Sequence, residues 1–81
     1  MNTTAKGLGD RKKQIIHFIN EFRQQHTFAP TVREIADGVN LTSTSTVQKH
    51  LIGLVEKGYI EIEQFKPRTI RLTEKALDTT N

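Results

Sequence analysis

Cysteine and tryptophan are absent from this 81-residue chain, and tyrosine and methionine occur once each. Without cysteine there is neither a disulfide framework nor a thiolate ligand, so structural zinc of the usual cysteine-containing kinds is excluded and a reducing compartment is suited. No apolar run approaches the ~18 residues that a membrane-spanning helix needs. Met1 to Gly9 lack the apolar core of a secretion signal and offer little to bury, so residues 1–9 read as a flexible arm. A soluble intracellular protein is expected. No internal repeat is visible.

Negative charge is missing where it would be informative. Lys and Arg together number 12 against 9 Asp and Glu, yet Gly38 to Val55 contain no acid, and neither do Gln64 to Thr73. Two acid-free surfaces fit an anionic partner. The length suffices for one small domain, burying roughly 60% of what its unfolded chain exposes.

Turning to what is present, "DRKKQIIHFINEFRQQH" places Ile15, Ile16, Ile19 and Phe22 on one helical face with Phe18 beside them, opposite Lys12, Lys13, Asn20, Arg23 and Gln24. Asp10 is the expected N-cap, and the helix should fade near His26, before Pro30. "TVREIADGVN" opens with the capping-box pair Thr31 and Glu34, carries Ile35, Ala36 and Val39 as its buried stripe, and ends in the turn-forming Gly38 and Asn40. Val47, Leu51, Leu54 and Val55 then recur at helical spacing, with Gly58 placed for a left-handed C-terminal cap.

The five consecutive hydroxyl residues Thr42 to Thr46 look, taken alone, like a linker or a phosphorylation site. Their position at the start of the third helix favours another reading, in which Ser43 or Thr44 caps the helix and the rest line its exposed first turns. "YIEIE" and "TIRL" alternate as two half-buried strands, Ile60, Ile62, Ile70 and Leu72 facing inward and Tyr59, Glu61 and Glu63 outward. Between them Pro67 suits a hairpin tip from which Lys66 and Arg68 project.

Three helices followed by a two-stranded wing make a mainly α winged helix-turn-helix, an architecture that offers the N-terminus of its third helix to the major groove. Residues 10–72 are expected to form this domain and residues 73–81 a loose tail. "PTVREIA", "STSTVQKHL" and "KPRTI", in this order, resemble the N-terminal DNA-binding domain of the LexA repressor family, closest to its Gram-positive branch.

The resemblance implies a cytoplasmic transcriptional repressor of bacterial or phage origin that binds double-stranded DNA at palindromic operators of GAAC-type half-sites, as in the SOS response. It implies base contacts from Ser43, Ser45, Thr46, Gln48 and Lys49, and backbone contacts from Arg11, Thr31, Arg33, Lys66 and Arg68. Members of the family continue into a self-cleaving domain with a Ser/Lys dyad, and these residues contain no such segment.

No cofactor or metal is expected. No carboxylate lies at ligand spacing from a pair of the histidines His17, His26 and His50, and nothing resembles a nucleophile elbow or P-loop, so an enzyme is not expected. His50 borders the apolar stripe and fits a packing residue or a phosphate donor. A monomer is expected in solution, with two copies side by side on a palindrome. The competing reading is a winged-helix module that docks on another protein, for which Phe65 in the wing is the favouring residue.

Overall fold

Ile15, Ile16 and Ile19 are fully buried on one side of the first helix, α1 (Asp10–Gln25), around which the rest of the chain is organised. The computed structural model describes residues 9–63 and 66–80, so the arm up to Leu8 and the wing residues Gln64 and Phe65 lie outside the described residues. Gly9, not Asp10, is the N-cap of α1. Its carbonyl accepts from the Lys13 N–H at 3.1 Å and no side chain closes the end. Asp10 is instead the first helical residue, where its carboxylate meets the positive end of the helix.

In α2 (Val32–Gly38) the capping box forms as expected. Thr31 Oγ1 accepts from the Glu34 N–H at 3.1 Å, and Glu34 Oε1 accepts from the Thr31 N–H at 2.8 Å. Ile35, Ala36 and Val39 are buried. Asn40 adopts the left-handed turn with φ 61°, whereas Gly38 serves a different purpose from the expected one. A Cβ at Gly38 would strike the Phe18 ring, so the glycine lets α1 and α2 pack at close range.

Ser43 caps α3 (Thr44–Glu56), its Oγ accepting from the Thr46 N–H at 3.4 Å. Val47, Leu51 and Leu54 enter the core. Val55, expected in the same stripe, is exposed, because a stripe one residue wider needs a facing partner that the short sheet does not supply. Gly58 has φ 83° and reverses the chain into β1 (Ile60–Glu61).

β1 pairs antiparallel with β2 (Arg71–Leu72), Ile60 opposite Leu72 and Glu61 opposite Arg71. The ladder is shorter than the alternation suggests, and two side chains depart from it. Tyr59 is buried rather than outward-facing. Its N–H donates to Leu54 O at 2.9 Å and its carbonyl accepts from the Thr73 N–H at 3.0 Å, so it belongs to the helix-ending turn where strand alternation does not hold. Ile62, expected inward, lies past the last paired residue and is exposed.

The segment after residue 73, expected to be loose, forms a further helix, α4 (Glu74–Thr80), that packs on α1. Ala76 is fully buried there. Lys75 adds to this anchoring, its Nζ donating to Lys57 O at 2.8 Å and lying 4.7 Å from the centre of the Tyr59 ring, contacts that sequence periodicity could not reveal in so short a segment. The resulting core draws on α1, α2, α3, the sheet and α4, and it takes in Val47 while leaving Ser43, Ser45, Thr46, Gln48 and Lys49 on the outer face of α3.

Candidate nucleic-acid interface

The turn between α2 and α3 is tight because Leu41 N–H donates to Ala36 O at 2.8 Å once Asn40 has turned left-handed. Leu41 packs on the core and fixes where α3 begins. Ser43, Ser45, Thr46, Gln48 and Lys49 are all exposed, and Ser45, Gln48 and Lys49 share one face by their i, i+3 and i+4 spacing. No acid occupies the first turn of α3, so the partial positive charge of the helix end is not cancelled there. This surface presents small donors and acceptors, one amide and one ammonium on a rigid element.

The basic residues divide into two groups. Arg33 stands 3.9 Å from Asp37, Lys66 2.9 Å from Glu63 and Arg71 2.6 Å from Glu61. Arg68, with φ 60°, does not project from the hairpin as expected but folds back. Its guanidinium donates to both Glu34 oxygens and to Ala29 O, and lies 4.6 Å from the centre of the Phe28 ring. The acid-free window around the wing is a property of the chain and not of the surface, because Glu34 and Glu63 reach it from outside that window.

Arg11 is also engaged, donating to Val39 O at 2.6 Å and to Gln14 at 3.1 Å. Thr31 is half-buried with its hydroxyl oxygen in the capping box. By contrast Lys12, Lys13 and Lys49 take part in no ion pair among the described residues. Unpaired positive charge among the described residues therefore includes Lys49 on α3 and Lys12 and Lys13 on the N-terminal half of α1.

Among the described residues Glu34 and His50 are perturbed. The hydrogen bond from Arg68, then that from the Thr31 backbone, holds the Glu34 carboxyl below its ordinary value of 4.5. Burial, followed by the charges of Lys12 and Arg11, pushes the His50 imidazole below its ordinary 6.5. Lys12 Nζ lies 3.1 Å from His50 Nδ1, a pairing across two helices that spacing along the chain could not signal. Among the described residues no group of three His, Asp or Glu side chains could hold a metal ion, and no helix is long and apolar enough to cross a membrane.

Residues 5–69 match the family model of the LexA DNA binding domain. The chain belongs to that family. It is 38% identical over 74 residues to the LexA repressor of Limosilactobacillus reuteri, covering 91% of this chain and 36% of that protein. It is 47% identical over 66 residues to the LexA repressor of Lactobacillus johnsonii, covering 82% and 32%. With the LexA repressor of Staphylococcus epidermidis the identity is 42% over 74 residues, covering 91% and 36%. The chain thus spans about a third of the length of the curated relatives it matches. In this LexA-family domain the winged helix-turn-helix expected from the sequence is present, extended by α4.

Proposed function

We propose that this LexA-family domain binds duplex DNA sequence-specifically as a transcriptional repressor or its DNA-binding part, acting at SOS-type operators. The N-terminal turns of α3 enter the major groove of a half-site. One observation carries this reading: Ser43, Ser45, Thr46, Gln48 and Lys49 stand exposed together at an acid-free helix end, in a fold whose family is defined by DNA binding. Lys49 can donate to guanine O6 and N7, and Gln48 can offer an amide to a base edge. Short hydroxyls can read bases through bridging water.

Backbone contacts come from Thr31 and from Arg33 and Lys66, and the pairs Arg33–Asp37 and Lys66–Glu63 are exposed and cheaply exchanged for phosphate. Arg11 and Arg68 each keep N–H groups beyond those already bonded, and these face the backbone while the rest hold α2 and the wing. Residues 10–72 act as the binding domain. Two copies occupy a palindrome with their wings near its centre, in line with the two-fold symmetry of such operators.

One observation favours a second reading, a module that docks on protein. Ile52, Val55 and Ile62 are exposed and line an apolar groove with Val32 and Leu51, just C-terminal to the polar turns of α3. Titration of fluorescent duplexes at several salt concentrations separates the two. The repressor reading requires a GAAC-type palindrome to win over a scrambled duplex by at least ~1 to 3 kcal/mol, with affinity falling steeply as salt rises. Equal, salt-insensitive binding would favour the protein-docking module.

A further inference from the structure

Gly53 sits inside α3, where alanine would be the better helix former, and the stem of Lys12 lies where its side chain would be. A Cβ at Gly53 would come within 2.9 Å of Lys12 Cε and 3.5 Å of Nζ. The missing side chain opens a passage across α3 through which Lys12 reaches His50 Nδ1. Because the lysine ammonium only donates, Nδ1 must accept, which leaves the imidazole proton on Nε2. Both side chains are half-exposed, so the remaining ammonium N–H groups and the Nε2–H are open to solvent.

We infer that Lys12 and His50, brought together across Gly53, form a phosphate clamp at the junction of α1 and α3 that grips one backbone phosphate beside the half-site. The inference rests on DNA being the ligand of α3. Among the described residues neither has an acidic partner, whereas Arg33, Lys66, Arg68 and Arg71 each do, so a phosphate meets less competition at this junction than at α2 or the wing. It would accept from Lys12 and from His50 Nε2–H, and Arg11, already fixed to Val39 O, adds positive potential.

The clamp is proton-linked. The charges acting on His50 in the free protein are those of Lys12 and Arg11, both on α1. On α2, Arg33 pairs with Asp37 and Glu34 is taken up by Arg68 and Thr31. On β1, Glu61 pairs with Arg71. A bound phosphate adds the negative charge that His50 lacks and favours the imidazolium, whose Nδ1 then no longer accepts from Lys12, so the lysine ammonium turns to the phosphate and binding takes up a proton.

The test measures affinity of the full chain for a palindromic GAAC-type duplex and for a scrambled duplex, across salt and between pH 8 and 6. Lys12→Met should weaken both duplexes alike, roughly three- to tenfold, and reduce the salt slope by about one unit. Wild-type affinity should rise as pH falls, and His50→Gln should remove most of that rise. Gly53→Ala should lower affinity severalfold while leaving Tm the same or higher, a combination that simple damage to the fold does not produce.

Unchanged salt slopes in Lys12→Met, or full affinity in Gly53→Ala, would overturn the clamp. Loss of preference for the palindrome in the wild type would instead remove the sequence-specific reading, and the slopes on the scrambled duplex would still decide the clamp. No binding to either duplex would remove both.

Discussion

Glu34 receives both arms of the Arg68 guanidinium, at 2.9 and 3.1 Å, while the same carboxylate accepts the Thr31 backbone N–H that begins α2. One side chain therefore closes a helix and holds the root of the wing against it. An exposed ion pair contributes little alone, but a bidentate pair shared with a helix cap is a small network. Both Glu34→Ala and Arg68→Ala should lower Tm, the first because it opens the cap as well as the pair, the second because it also loses the bond to Ala29 O and the Phe28 contact. In chemical unfolding the double variant should lose less than the two single losses combined. Thr31→Ala, which removes the cap alone, should cost about 1 kcal/mol.

The same carboxylate gives the domain an acid limit. Its pKa is depressed in the folded state, so it contributes stability above its ordinary 4.5, and that contribution disappears as pH falls through the depressed value. Thermal unfolding followed from pH 6 down to 3 should show Tm dropping below about 4.5, and in Arg68→Ala the drop should be shallower. A parallel decline in both proteins would assign the acid sensitivity elsewhere.

His50 produces a second dependence, nearer neutrality. Its folded-state pKa is also depressed, so the unfolded chain takes up the proton first and stability declines as pH falls below the ordinary 6.5. In Lys12→Met, where one of the two repelling cations is gone, the decline between pH 7 and 5 should be smaller. Urea midpoints at half-unit intervals would measure it.

Gly38 is required for space and not for its dihedral freedom. Gly38→Ala drives a Cβ into the Phe18 ring and should cost roughly 1–3 kcal/mol, the usual range for overpacking. Phe18→Leu in the same chain should recover part of that loss. Asn40 is the reverse case, a side chain held at φ 61° where glycine would carry no steric penalty. Asn40→Gly should leave stability unchanged or raise it by up to about 1 kcal/mol. Denaturant midpoints check both.

What was legible in the sequence was whatever is local. The stripe Ile15, Ile16, Ile19, the Thr31–Glu34 box, the Gly58 turn and the exposed Ser43, Ser45 and Thr46 all depend on residues within a few positions of one another. The departures involve partners far apart in the chain. Arg68 folding onto Glu34, Tyr59 turning inward, Lys12 reaching His50 and Ala76 docking on the core are set by tertiary packing, which no window of residues contains. Glu34, distant in the chain, pairs with Arg68, and Glu63, just outside the acid-free window, pairs with Lys66, so charge counted within that window overstated how open the surface is.

The central claim is that the exposed N-terminal face of α3 reads bases. Comparing wild type, Ser45→Ala and Lys49→Ala on a GAAC-type palindrome, its single-base variants and a scrambled duplex tests it most directly. The account predicts that each substitution reduces discrimination at particular base positions, by ~1–3 kcal/mol, while affinity for the scrambled duplex stays within a few fold. Uniform weakening on every duplex with preference intact would contradict it, because those residues would then touch only the phosphates.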